Sequence, residues 1–376
     1  MDLEFTEEQN LLKSAARNFL KNECPPSLMK EMREDERGYS QKLWDRMADL
    51  GWLGVMVPEE YGGIGGDFLD LSIIMESMGA VCFSGPYFST VVSGLAILSG
   101  GSEEQKQRIL PKMARGELIL THALMEPDAW FEVSSISTTA TRKGEGYILE
   151  GTKLFVDNAH LADYILCAAR TESGGGAGEG VSLFLVDGKA PGVRCTLLKT
   201  LAYDKQCEVI FDRVKVPAEN ILEEPGKKPA LLEQLQEKAT VAKCAEMVGG
   251  LQSVLDMTVT YAKEREQFGQ PIGSFQAVQH HCADMVIDVD GARFITYQAA
   301  WRLAAGLPAG REAAMAKAWT SDAARRVTRL GLQVHGAISY CDEHDMHLYY
   351  RKAKAGEMAF GDSDHHLEKV ARSLGL

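Results

Sequence analysis

The sequence predicts a mainly α fold with a β-domain inserted between two helical parts. Three observations carry this. Helix-start signals dominate up to about residue 116. The patterning then switches to period two between about 118 and 222. Long helical periodicity returns from about 229 to the end. The implied organisation is an N-terminal helical domain over 1–116, a central β-domain over 117–225 and a C-terminal helical bundle over 226–376. A length of 376 residues suits two or three packed subdomains.

In the first part, Thr6 with Gln9 and Ser102 with Gln105 have capping-box spacing, which predicts helix starts there. The glycine-rich stretch Tyr61-Gly62-Gly63-Ile64-Gly65-Gly66 lacks the sequence context of a phosphate loop and reads as a tight turn. In the middle part, LILTHAL (118–124), ISTTATR (136–142), YILEG (147–151), DYILCAAR (163–170), VSLFLVD (181–187), GVRCTLLKT (192–200) and CEVIFD (207–212) read as strands. Turn residues separate them, and SGGGAGEG (173–180) reads as a hairpin loop, so a small antiparallel β-domain is expected. In the last part, a helical pattern runs from Pro229 to about Glu266, ~55 Å at ~1.5 Å per residue. Gln276–Ala305, Glu312–Val334 and Ser363–Leu374 follow it, and together they predict an antiparallel four-helix bundle.

Composition narrows the function. Hydrophobic residues make up 45%, enough for a core, and the net charge of −13 argues against nonspecific nucleic-acid binding. No apolar run reaches the ~18 residues that span a bilayer, and MDLEFTEEQN is not a signal peptide, so no membrane insertion and a cytoplasmic location are expected. Eight cysteines stand singly without a CxxC pair and read as reduced thiols. No metal is expected: Asp342, Glu343, His344, Asp345 and His347 lack an HExxH arrangement and read as a solvated loop. The pairs His280-His281 and His365-His366 point apart on a helix and read as packing or surface residues.

Six stretches then occur in a telling order. They are PEEYGGIGG (58–66), MEP (125–127), GTKLFVDNA (151–159), Arg265-Glu-Gln267-Phe268-Gly269 followed by Phe275-Gln276, LQVHGAISY (332–340), and Arg351 leading to Gly361. This order resembles the acyl-CoA dehydrogenase family across nearly the whole chain. The resemblance implies a fold of helical domain, β-barrel-like domain and four-helix bundle. It implies FAD as cofactor, an acyl-CoA thioester as substrate, and α,β-dehydrogenation as the reaction, with electron-transfer flavoprotein as acceptor.

The same resemblance assigns the cofactor site. Arg265 matches the arginine that reaches the FAD diphosphate of a neighbouring subunit, a task that suits a guanidinium. Gln267, Phe268, Ile272, Phe275 and Gln276 accompany it, and Gln333, Gly336 and Ala337 match the adenine and diphosphate segment. Leu124 and Met125 match residues that offer backbone groups to the flavin. Phe155 replaces the usual tryptophan, Asp157 the usual threonine, and Asp362 and Asp364 fall in the last cofactor-contacting stretch. Trp130 and Phe131 replace a glycine and a serine, which places them, with Phe360, along the acyl channel. Ala337 replaces a glycine and implies a weakened or empty half-site.

The reaction needs a carboxylate near the substrate α-carbon. Counting from Arg351 puts Phe360 at the family's usual glutamate. The alternative family position, on the first bundle helix, holds Ala239. Glu246, ~10 Å further along that helix, and Asp362 and Asp364 are the candidate substitutes. GDSDHH (361–366) resembles the small-subunit type of pimeloyl-CoA dehydrogenase and one chain of heteromeric relatives acting on steroid side-chain CoA esters. That implies a heterotetramer with a homologous second subunit that carries the base. Two alternatives stay open: a non-catalytic subunit that completes a partner's FAD site, and a flavin monooxygenase or oxidase on the same fold.

Overall fold

The computed structural model describes residues 4–127, 131–171, 180–222 and 230–376. The helices are α1 (Glu7–Glu23), α2 (Pro26–Glu34), α3 (Gln41–Asp49), α4 (Phe68–Ala80), α5 (Tyr87–Gly100), α6 (Glu103–Ala114), α7 (Ala230–Glu264), α8 (Gln276–Ala304), α9 (Gly310–His335), α10 (Met346–Met358) and α11 (Ser363–Ser373). The strands are β1 (Leu120–Ala123), β2 (Thr139–Lys143), β3 (Gly146–Asp157), β4 (Tyr164–Thr171), β5 (Val181–Asp187), β6 (Val193–Leu197), β7 (Gln206–Pro217), β8 (Glu266–Gln267) and β9 (Gln270–Pro271). This is the helical, β, helical order expected. Both capping boxes form, at Thr6 with Gln9 and at Ser102 with Gln105. In the glycine-rich turn, the Gly63, Gly65 and Gly66 N–H groups donate to the carbonyls of Pro58, Val57 and Val55. They close a turn and are not free to cradle a phosphate. The α7 start expected at Pro229 and most of the 173–180 loop lie outside the described residues.

The chain divides into two compact units. One comprises 31–66 and 84–238 and contains the sheet. Strand β4 runs through its centre, paired antiparallel with β5, and β3 pairs antiparallel with β2 and β7. The expectation of a purely antiparallel domain is corrected in one respect: β1 and β2 both pair with β4 in parallel. Long connections separate β4 in sequence from both, and such connections permit parallel pairing. Every residue of β4 except Tyr164 and Arg170 is buried, and Phe184, Val209, Phe211 and Val214 fill the core beside it. Fully burying side chains of this size contributes roughly 1.5–3 kcal/mol each.

The other unit comprises 1–30, 67–83 and 239–376. Val248, Leu251, Val254, Met285, Val289, Ala324, Val327 and Met346 form its core among α7, α8, α9 and α10. Helix α4 crosses α7 at glycines: a Cβ on Gly79 would lie 1.8 Å from the Glu246 carbonyl oxygen, and one on Gly249 1.8 Å from that of Glu76. The backbones therefore touch there. Helix α10 was missed by periodicity, and the solvated-loop reading of 342–347 is corrected at its end. Met346 and His347 are buried at the start of α10. Among the described residues, no group of three or more His, Cys, Asp or Glu is arranged to hold a metal, and no helix is long and apolar enough to cross a membrane.

Candidate functional site

In the sheet-bearing unit, the site is built where β1 ends and β3 bulges. The β3–β7 register shifts between Lys153 and Val156, leaving Leu154 and Phe155 in a bulge. The Leu154 N–H donates to the Met125 carbonyl at 2.9 Å, which ties the 124–127 segment to the bulge. Phe155 adopts φ +54° and is 51% exposed, although Val156 beside it is buried. A left-handed, exposed aromatic is an unusual choice for a strand unless its ring face has a use. Asp157 accepts a hydrogen bond from Gln206 Nε2 at 3.0 Å, so its carboxylate is partly committed inside the domain. Phe131 is half-buried, and Trp130 lies outside the described residues.

Beneath this segment lies a buried ion pair to which the sequence reading gave no role. Lys153 Nζ lies 2.7 Å from Glu126 Oε1 and donates to the Leu124 carbonyl at 3.3 Å. Glu126 also accepts from the Ser137 N–H and hydroxyl and from the Thr138 N–H, at 2.7, 2.6 and 2.9 Å. Burial alone would raise the Glu126 carboxyl. The Lys153 ammonium and these hydrogen bonds outweigh it and bring the pKa to about 2. The pair fixes the backbone of Leu124 and Met125. The signal was present in sequence, since Glu126 sits in MEP and Lys153 in GTKLF, but nothing linear joins them.

In the other unit, Tyr261 near the end of α7 stacks on His335 at the end of α9, with centroids 4.5 Å apart. This brings the Arg265 segment and the Gln333–Ala337 segment to the same end of the bundle. Arg265 is exposed and has no ion pair among the described residues. Its carbonyl accepts from the Ile272 N–H at 2.8 Å, which closes the β8–β9 hairpin. Phe268 and Gly269 form the tip with φ +55° and +80°, and Phe268 is 93% exposed. Gln267 and Gln276 are exposed, whereas Ile272 and Phe275 are half-buried, with Phe275 edge-on to Phe268. Gln333 and Gly336 line a cavity of about 420 Å³ between α9 and α10, and Ala337 is exposed one residue beyond.

The positions where a base is expected hold none. Ala239 is fully buried on α7. Phe360 stands in a left-handed turn, φ +58°, whose backbone is held from two sides. Lys317, fully buried, donates to the carbonyls of Gly361 at 2.7 Å and Glu357 at 2.8 Å, and His366 Nε2 bonds the Phe360 carbonyl at 2.9 Å. Burial drives His366 down to about 3, so it is neutral and donates through Nε2. Lys317 carries no local motif and sequence reasoning missed it, whereas His366 lies in GDSDHH and reads there only as a packing or surface residue.

Two of the three substitute carboxylates have other partners. The Asp362 side chain accepts from the His365 N–H at 3.0 Å as the N-cap of α11. Asp364 is exposed on the first turn of that helix. Glu246 pairs with Lys243 one turn earlier on α7. Burial alone would raise its carboxyl, but Lys243 and Lys352 outweigh that and hold it below the usual range.

Comparison with known proteins agrees with this architecture. Residues 6–117, 121–214 and 232–375 match the N-terminal, middle and C-terminal domains described for acyl-CoA dehydrogenases. The chain is 33% identical to a probable acyl-CoA dehydrogenase, YngJ, of Bacillus subtilis, over the full length of both. It is 31% identical to the caffeyl-CoA reductase–Etf complex subunit CarC of Acetobacterium woodii, over 96% of each. It superimposes on a chain of the ChsE4–ChsE5 complex from Mycobacterium tuberculosis with a TM-score of 0.92 and 32% identity, over 100% of this chain and 99% of that one. With all three domain types matched in order along the chain, this protein belongs to the acyl-CoA dehydrogenase family of oxidoreductases.

Proposed function

We propose that this chain is one subunit of an FAD-dependent acyl-CoA dehydrogenase whose catalytic carboxylate comes from a second, homologous subunit. The carrying observation is the pair of empty positions, Phe360 and Ala239, together with the engagement of Glu246 and Asp362 elsewhere. The likeness to one chain of the ChsE4–ChsE5 complex supports a heteromer. The likeness to a subunit of a reductase–Etf complex supports electron-transfer flavoprotein as acceptor. The cytoplasmic location and the division near residues 117 and 226 belong to the same proposal.

The residues present fit a flavin dinucleotide. Arg265 is an exposed guanidinium with no ion pair among the described residues, Phe155 offers an exposed ring face, and Gln333 and Gly336 open onto a cavity. The bound flavin supplies the hydride-accepting chemistry. The chain's own part is to present these groups and to hold the Leu124–Met125 backbone through Lys153 and Glu126. In a left-handed turn fixed by Lys317 and His366, Phe360 supplies an apolar wall where proton abstraction would need a carboxylate.

The test is co-production with a homologous subunit that carries the glutamate. The pair is expected to bind FAD and oxidise an acyl-CoA, and the chain alone to turn over at less than about one hundredth of that rate, in keeping with the ~10²–10⁴-fold contribution of a positioned base. A chain that alone binds one FAD and turns over normally overturns the reading. The hairpin with Arg265 and Phe268 also favours a second reading, a subunit that only completes its partner's flavin site. Counting flavins per heterodimer separates the two.

A further inference from the structure

Ala239, Lys243, Glu246 and Gly250 recur along α7 at helical spacing and share one face of it. Toward the start of α7 the same face carries Leu232 and Leu235, each 1% exposed, and is closed. Toward the end it opens. Lys243 and Glu246 keep 16% and 19% of their side chains exposed, and a Cβ added to Gly250 would meet nothing nearer than 3.6 Å. Lys352 of α10 brings a second ammonium, which attracts the Glu246 carboxylate and donates to the Phe83 carbonyl at 3.1 Å. Asp345, the acid before α10, is taken by Lys30 at 3.1 Å. Among the described residues, two ammoniums therefore share one carboxylate at this level of the bundle.

We propose that Lys243 is a specificity-determining residue, and that the face of α7 running from Ala239 takes an acyl-CoA whose acyl group ends in a carboxylate. A mostly buried ion pair costs desolvation that apolar side chains of similar size would avoid. A hydrocarbon end laid along this face would strip the remaining water from Lys243 and Glu246 and replace none of its hydrogen bonds. A carboxylate end accepts from the ammonium instead. The inference rests on the acyl-CoA reading of the chain, in which Ala239 marks a base position, and it names a substrate class for that reading.

The experiment uses the complex with the homologous subunit and changes this chain alone. Calorimetry compares adipoyl-CoA with hexanoyl-CoA, and suberoyl-CoA with octanoyl-CoA, pairs that differ only at the end of the acyl chain. The dicarboxylic member of at least one pair is expected to bind ~10-fold or more tightly, the size of a hydrogen bond to a charged group. Lys243→Met is expected to reduce that preference by at least ~10-fold, and Lys243→Arg to keep most of it. Thermal unfolding checks each variant, and Lys243→Gln takes the place of Lys243→Met if the latter does not fold. Equal affinity within both pairs overturns the proposal, as does a preference that survives loss of the Lys243 charge. Hexanoyl-CoA bound and oxidised without preference leaves the acyl-CoA reading standing. No binding of any of the four to a complex that holds FAD removes both.

Discussion

The Glu246 carboxylate is held by the Lys243 ammonium one turn back along α7, and Lys352 adds to the attraction. A base for a weakly acidic thioester α-proton works best with a raised pKa in an uncommitted position. Glu246 has neither. Glu246→Gln is therefore expected to leave the acyl-CoA oxidation rate of the assembled enzyme within about 10-fold, where loss of a true base costs ~10²–10⁴-fold. Steady-state rates of the variant beside its parent check this, and a loss of three orders of magnitude would return Glu246 to the role of base.

Glu126 and Lys153 make the acid side of stability testable. The folded Glu126 carboxyl titrates at about 2 against 4.5 for a free glutamate, so the folded state binds fewer protons there. Stability from this pair is complete above about pH 4.5 and is lost as pH falls toward 2. Glu126→Gln should remove that segment of the acid-unfolding profile. At neutral pH it should cost roughly 3–5 kcal/mol, because Lys153 is left charged and fully buried. Urea unfolding at several pH values measures both effects, and an unchanged acid profile would count against the pair.

Much of the fold was legible because its signals are local. Capping boxes at Thr6 and Ser102, strand alternation, and the long periodicity of α7 to α9 each depend on neighbours within a few residues. Helix α10 was not legible, because Met346 and His347 begin it immediately after a cluster of polar residues that reads as loop. The parallel pairing of β1 and β2 with β4 depends on which distant segment arrives beside β4, and strand alternation says nothing about direction. In the candidate site, the vacancies at Phe360 and Ala239 could be counted from motifs. The groups that hold the site in shape could not. Lys153, Lys317 and His366 act on residues 27, 44 and 6 positions away.

Lys317 offers a pH signature of the same sign in the alkaline range. Burial is the main cause that lowers its ammonium from 10.5 to about 8, so between these values the folded state holds fewer protons than the unfolded chain. Stability from this group rises with pH across that window. Lys317→Met should flatten the rise. It should also free the Gly361 and Glu357 carbonyls, loosening the Phe360 turn and the start of α11. Unfolding free energies at pH 7 and pH 10, with hydrogen exchange over 357–366, test this. An unaltered pH slope in the variant would show that Lys317 stays charged, through its hydrogen bonds to Ser321, Glu357 and Gly361, over the whole range.

Phe268 gives the last prediction. An aromatic ring 93% exposed, on a backbone at φ +55°, costs the isolated chain conformational energy and leaves apolar surface in water. The two-residue turn it shares with Gly269 favours asparagine at its first position. Phe268→Asn should therefore leave the stability of the isolated chain unchanged or raise it by about 0.5–1 kcal/mol. If the ring is instead kept for contact with a neighbouring subunit and its cofactor, the same change should weaken assembly and speed flavin loss from the complex. Thermal unfolding of the isolated chain and gel filtration of the complex measure the two effects separately. A variant more stable as a chain and weaker as a complex would place Phe268 in the interface. One neutral in both would leave the strained ring without a function.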